Sequence, residues 1–230
     1  MRKVLLAAML LVVAAFAGCA QEEQPATLTP QPGTSGGYVD KGGDVSTQLV
    51  DQVNQLPVQQ LSVEERSGIL YMREEEKLAR DVYQALYDKW GLRIFENIAR
   101  SEQTHMDAVK ALIDKYGLED PAKDGYGEFT NPEFQKLYDE LVRTGEKSEV
   151  DALKVGALIE EIDIVDLKER LSQTDNEDVK LLYENLMKGS RNHLRAFVSN
   201  LEKYGEEYEP HYLSKEEFEQ IISTPMETGH

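Results

Sequence analysis

One cysteine and one tryptophan occur in 230 residues. A lone thiol closes no internal disulfide, so disulfides do not hold this fold together. Basic residues are also scarce, with 25 lysines and arginines against 43 aspartates and glutamates and a formal net charge of −18. Phosphate backbones bind proteins that neutralise them, and a balance this acidic excludes nucleic acid as a partner. No stretch of four or more residues alternates as a half-buried strand does. The apolar run from Val4 to Ala17 is too short to span a bilayer comfortably. The chain is nevertheless 40% hydrophobic, enough to build a core.

The N-terminus reads as a processed leader, because Arg2 and Lys3 precede that apolar run. It ends in Phe16-Ala17-Gly18-Cys19, which resembles a bacterial-type lipobox with Phe16 where leucine is usual. Residues 1–18 are expected to be a lipoprotein signal peptide and Cys19 the lipidation site, giving a membrane-anchored, extracytoplasmic protein. Residues 19–61 are rich in Gln, Thr, Pro, Gly and Ser and read as a flexible tether. Within it, Val45 to Val58 carries enough apolar residues for a short helix. A folded domain is expected over 62–223 and a disordered tail over 224–230.

Helix punctuation fills the domain. Ser62 with Glu65 forms a capping-box pattern, and the run it opens stops at Gly91. A second helix from about Arg93 stops at Gly117, and a connection follows with a short helix from Asn131-Pro132 to Gly145. Ser148 with Asp151 starts a third long helix, and Thr174 with Glu177 a fourth that runs to Gly205. A last short helix begins at Ser214. Two hairpins of long helices joined by one long crossover predict an all-α, ferritin-like four-helix bundle.

Several polar residues lie in the apolar stripes. In the second long helix the row Phe95, Ile98, Glu102, His105, Val109, Leu112 places a carboxylate and an imidazole one turn apart on the buried face. In the first, Glu76 sits among Ile69, Met72, Ala79 and Tyr83, with Glu75 as the alternative. The fourth contributes His193, one turn after Ser190. The third offers Glu160 and Glu161, and its apolar spacing favours Glu161. Any one of these alone reads as a hydrogen-bonded core residue or as a partner of Arg80, Arg100, Arg191 or Arg195. Several carboxylates in one core would each cost several kcal/mol to desolvate, about what a buried ion forfeits without compensation. A pair of divalent metal ions compensates them together, and oxygen and imidazole donors without thiolate favour iron or manganese over zinc.

The strings MREEEKLARDVY, NIARSEQTHMDAV, GALIEEIDIVDL and GSRNHLRAF together resemble the prokaryotic ferritin-like family known as domain of unknown function 2202, over about residues 62–222. Ferritins and rubrerythrins are similar more distantly. The resemblance implies Glu76 as a terminal ligand, Glu102 as the bridging carboxylate, His105 beside it, and Glu161 and His193 on the second metal. Ser190 stands where the ferritin-like pattern has a glutamate, and a set without that glutamate is more similar to manganese catalases. Gly189 beside it costs about 1 kcal/mol in mid-helix, which a close approach of other groups would explain. The implied function is redox work on oxygen, peroxide or ferrous iron. The competing expectation is a non-enzymatic helical module with a structural metal or an arginine–glutamate network.

Overall fold

Capping residues and glycines set the helix ends. The computed structural model describes residues 37–229, so the leader and Cys19 lie outside the described residues. Seven helices follow in order: α1 Thr47–Gln55, α2 Val63–Trp90, α3 Arg93–Lys115, α4 Pro132–Gly145, α5 Glu149–Ser172, α6 Glu177–Lys203 and α7 Lys215–Ser223. The fold is all-α, and the described residues contain only two isolated β-bridges and no strand. Ser62 and Glu65 cap α2 reciprocally, Gly91 ends it in the left-handed conformation, and Ser214 with Glu217 caps α7 as Ser62 does α2. Ser148 accepts from the Asp151 backbone at the start of α5.

The expected box at Thr174 does not form. Asn176 is the N-cap residue of α6, and the Thr174 hydroxyl bonds instead to Glu65 Oε1 at the start of α2. A tertiary partner has won over a local one.

The long helices pair α2 with α3 and α5 with α6, and the pairs meet through α2 against α5 and α3 against α6. Their apolar side chains form two separate clusters. One holds Tyr83, Leu86, Phe95, Ile98, Phe197 and Leu201; the other holds Ile69, Met72, Val109, Leu112, Leu182 and Leu186. Along α2, α3 and α6 the buried residues between the clusters include Glu76, Glu102, His105, Ser190 and His193, so a polar layer divides the core.

The connection carrying α4 is fastened to α2. Lys77, fully buried, donates to the Gly125 carbonyl at 2.7 Å and pairs with Asp81. Arg73 holds Asp120 and the Met106 carbonyl, and Glu74 accepts from the backbone of Thr130 and Asn131 at the start of α4.

Both edges of the expected domain move outwards. Part of the stretch read as tether is folded, because Val39, Val45, Leu49 and Val53 are buried and α1 packs on α3 and α6. A reading by average composition dilutes four well-spaced apolar residues among glycine, serine and threonine. The stretch read as a disordered tail is docked as well: Gly229 bridges Val39, and Glu227 pairs with Arg191 and Arg195. No helix among the described residues is long and apolar enough to cross a membrane.

Candidate metal centre

The polar layer contains two ligand sets that share one residue. Glu76, Glu102 and His105 offer atoms that all lie within 4.8 Å of one another, and so do Glu102, Glu160 and His193. Each set combines carboxylate oxygen with imidazole nitrogen and can hold a metal ion. All five residues are at most 2% exposed.

Glu102 is central because its two oxygens face different histidines. Oε2 lies 3.0 Å from His105 Nδ1, and Oε1 lies 2.9 Å from His193 Nδ1. Glu76 Oε2 stands 3.2 Å from the same nitrogen of His105, and Glu160 Oε2 stands 3.4 Å from that of His193. The two rings lie nearly parallel, their centroids 5.4 Å apart. Although close to Glu102, His193 Nδ1 is not aligned as a hydrogen bond to any group among the described residues, and Glu76 Oε1 also lacks a hydrogen-bond partner. Buried polar atoms normally find partners, and donors brought this near without hydrogen-bond alignment suit a shared cation.

The far side of each ligand is held. His105 Nε2 bonds to the Gly43 carbonyl and His193 Nε2 to Ser101 Oγ, each at 2.9 Å. Tyr83 donates to Glu160 Oε1, which leaves Oε2 for His193. Both histidines therefore present Nδ1 to the carboxylates and anchor through Nε2, the arrangement by which outer partners orient metal ligands.

Charges in the layer are strongly coupled. Burial pushes the Glu76 carboxyl up to about 7, against the opposing pull of His105. Burial likewise lifts Glu160 to about 7, against His193. Glu102 is desolvated too, yet the imidazoles of His193 and His105 on either side hold it well below the ordinary carboxylate range. Burial disfavours charge on His193, but Glu102 and then Glu160 raise it to about 10. Without metal, the carboxylates favour the protonated imidazoles while burial favours the protonated forms of Glu76 and Glu160.

Glu161, the preferred candidate in the third long helix, is not in the cluster. Its Oε2 accepts from the backbone of His211 and Tyr212, each at 2.8 Å, and so fixes the turn before α7. Glu160 faces the centre instead. Apolar residues surround α5 on several sides, and Ile159, Glu160, Glu161 and Ile162 are all buried. Periodicity therefore had no exposed face to read against. Glu75, the alternative on α2, is buried beside Asp163 and Asp166; burial first and then those two carboxylates drive its proton affinity well above the ordinary value. The arginines considered as partners are engaged elsewhere or exposed. Arg80 bonds Asp81 and Gln103, Arg191 and Arg195 bond Glu227, and Arg100 is exposed.

Asp163 is a further buried carboxylate beside Glu76, Glu102 and Glu160. It lies three residues after Glu160, and its Oδ2 accepts from the Ser190 hydroxyl while Oδ1 is unpartnered. The Glu-x-x-Asp spacing of Glu160 and Asp163, inside the mostly apolar run from Val155 to Val165, was the available signal. Tyr83 and Ser101 left none, since each fits an ordinary helix. Gly189 is explained by crowding: a Cβ there would lie 2.6 Å from the His105 ring and 2.8 Å from the Gly43 carbonyl oxygen.

Residues 65–225 match the family described as "uncharacterized protein domain" DUF2202. An uncharacterized protein of Methanocaldococcus jannaschii is 60% identical over 182 residues, which cover 79% of this chain and 98% of the relative. A crystal structure of a hypothetical protein from the same organism superposes with a TM-score of 0.74 at 62% identity, covering 75% of this chain and 99% of the other. With a family match over most of its length and a relative this similar, the chain belongs to the DUF2202 family.

Proposed function

We propose that this protein is a ferritin-like four-helix bundle that holds two metal ions bridged by Glu102 and carries out redox chemistry on oxygen, peroxide or ferrous iron. It works outside the cytoplasm, anchored through a lipid on Cys19. The observation that carries the reading is Glu102, one carboxylate whose two oxygens each belong to a different three-residue ligand set. The pairing α2–α3 and α5–α6, with α4 in the connection between them, supports the bundle.

Glu76 and His105 would hold one ion and Glu160 and His193 the other, with iron or manganese favoured over zinc by the donor set. The ions would supply electron exchange with a small bound oxidant. The protein's own part is to orient the donors and keep bulk water out. Tyr83, Ser101 and Gly43 fix the donor side chains, and the two apolar clusters close the layer above and below. Ser190, bonded to Asp163, supplies no sixth strong ligand, which agrees with the manganese-catalase likeness in the ligand pattern.

Elemental analysis of the full chain purified without added metal tests the reading, with close to two equivalents of iron or manganese expected. Peroxide, oxygen and ferrous-iron assays follow. Full occupancy without turnover of any of the three would turn the case towards a structural metal in a non-enzymatic module, and absence of bound or bindable metal would sink the dimetal reading.

A further inference from the structure

The centre is closed at one side by backbone from outside the long helices. Gly43 accepts from His105 Nε2, and a Cβ added at Gly43 would sit 2.2 Å from His193 Nε2. This residue lies against both histidines. Its neighbour Gly42 lines an open cleft of about 330 Å³ shared with Asn192, Ile98 and Lys41, so the loop is one residue thick between solvent and the centre. None of the five candidate ligands lines that cleft.

The loop is built to hold its shape. Asp40 Oδ1 accepts from the backbone of Gly42 at 2.7 Å and of Asp44 at 3.0 Å. Val45 donates its backbone N–H to Thr104 on α3, and Asn192 on α6 donates to the Asp40 carbonyl. Gly43 has φ +92°, a conformation a side chain would strain.

A carbonyl only accepts, so the Gly43 contact requires His105 to carry its proton on Nε2. Nδ1 is then the atom available to a metal ion, and it is the atom turned towards Glu76 and Glu102. We propose that the Asp40–Val45 loop is a positioning element of the centre: the Gly43 carbonyl fixes the His105 tautomer, and the closed loop retains bound divalent cations. The proposal rests on the dimetal reading of the same site.

Full-length variants separate the possibilities. Gly43→Ala displaces the loop through its Cβ and its backbone angle. Asp40→Ala removes the acceptor that shapes the loop at an exposed position, and Asp40→Asn restores an acceptor and serves as the rescue. Two readouts are Mn²⁺ affinity by chelator competition and the His105 Nε2 proton in ¹⁵N–¹H spectra, assigned by its loss in His105→Gln. The metal-free wild type should show a slowly exchanging Nε2 proton, read without Mn²⁺ because the bound paramagnetic ion would broaden a proton on the same ring. Gly43→Ala should lose that protection and bind Mn²⁺ about ten- to hundredfold more weakly, the scale for an outer partner of a ligating histidine. Asp40→Ala should shift both readouts in the same direction, and Asp40→Asn should return them. Unchanged affinity and an unchanged proton in both Gly43→Ala and Asp40→Ala overturn the proposal. A wild type that binds no Mn²⁺ but keeps the protected proton overturns the dimetal reading and the retention of ions, while sustaining the tautomer contact.

Discussion

Glu102→Gln keeps the shape of the side chain while removing the charge that both ligand sets share. If each of two ions is present at a hundred times its dissociation constant, binding stabilises the folded chain by about 2.7 kcal/mol per site, or about 5 kcal/mol together. For a domain of this size about 1 kcal/mol moves Tm by about 2–4 °C, so chelator should lower the wild-type Tm by about 10–20 °C. In Glu102→Gln the two sites lose the negative charge they share and one of them loses its Glu102 oxygen to an amide nitrogen, so the chelator-dependent shift should collapse. The metal-free variant should also melt below chelated wild type. It removes the anion lying 3.0 Å from His105 and 2.9 Å from His193, and breaking a buried pair costs about 3–5 kcal/mol. Calorimetry with Mn²⁺ or Fe²⁺ and with chelator reads both effects. A variant with the full wild-type chelator shift would refute the bridging role.

Glu160→Gln should reduce bound metal towards one equivalent per chain, whereas Glu161→Gln should keep two and instead loosen the His211–Tyr212 turn; metal analysis with proteolysis of the C-terminal segment tells them apart. The raised folded values of Glu76, Glu160 and His193 mean that the chelated native state binds more protons than the unfolded chain. The stability these groups contribute should fall as pH rises through about 7 and on towards about 10, while metal affinity rises over the same interval as protons leave the ligands; a chelated Tm profile no steeper than that of Glu76→Gln would contradict the carboxylate part. Ser190→Glu should lower the metal-loaded Tm, because Ser190 is fully buried against Asp163 and overpacking costs about 1–3 kcal/mol, and a raised Tm would show room for a sixth ligand. Cys19→Ala should release the protein from the membrane fraction, and persistence there would remove the lipid anchor from the proposal.

Local signals along the chain mark the helices and most of the ligand types. Capping residues and glycines are local signals, so the bounds of α2, α3 and α4 fall within a residue or two of the punctuation at Ser62, Gly91, Gly117 and Pro132. Glu76, Glu102, His105 and His193 stood out because α2, α3 and α6 each have a clear apolar face in which a charge is anomalous. Tertiary structure decided what periodicity cannot carry. On α5 both Glu160 and Glu161 are buried, and only their partners separate them: Tyr83 and His193 for one, the backbone before α7 for the other. The start of α6 moved to Asn176 because Thr174 found Glu65, more than a hundred residues away in the chain. The Asp40–Val45 loop was invisible as part of the centre, since a backbone carbonyl is the same at every residue and only the fold selects which one meets a histidine.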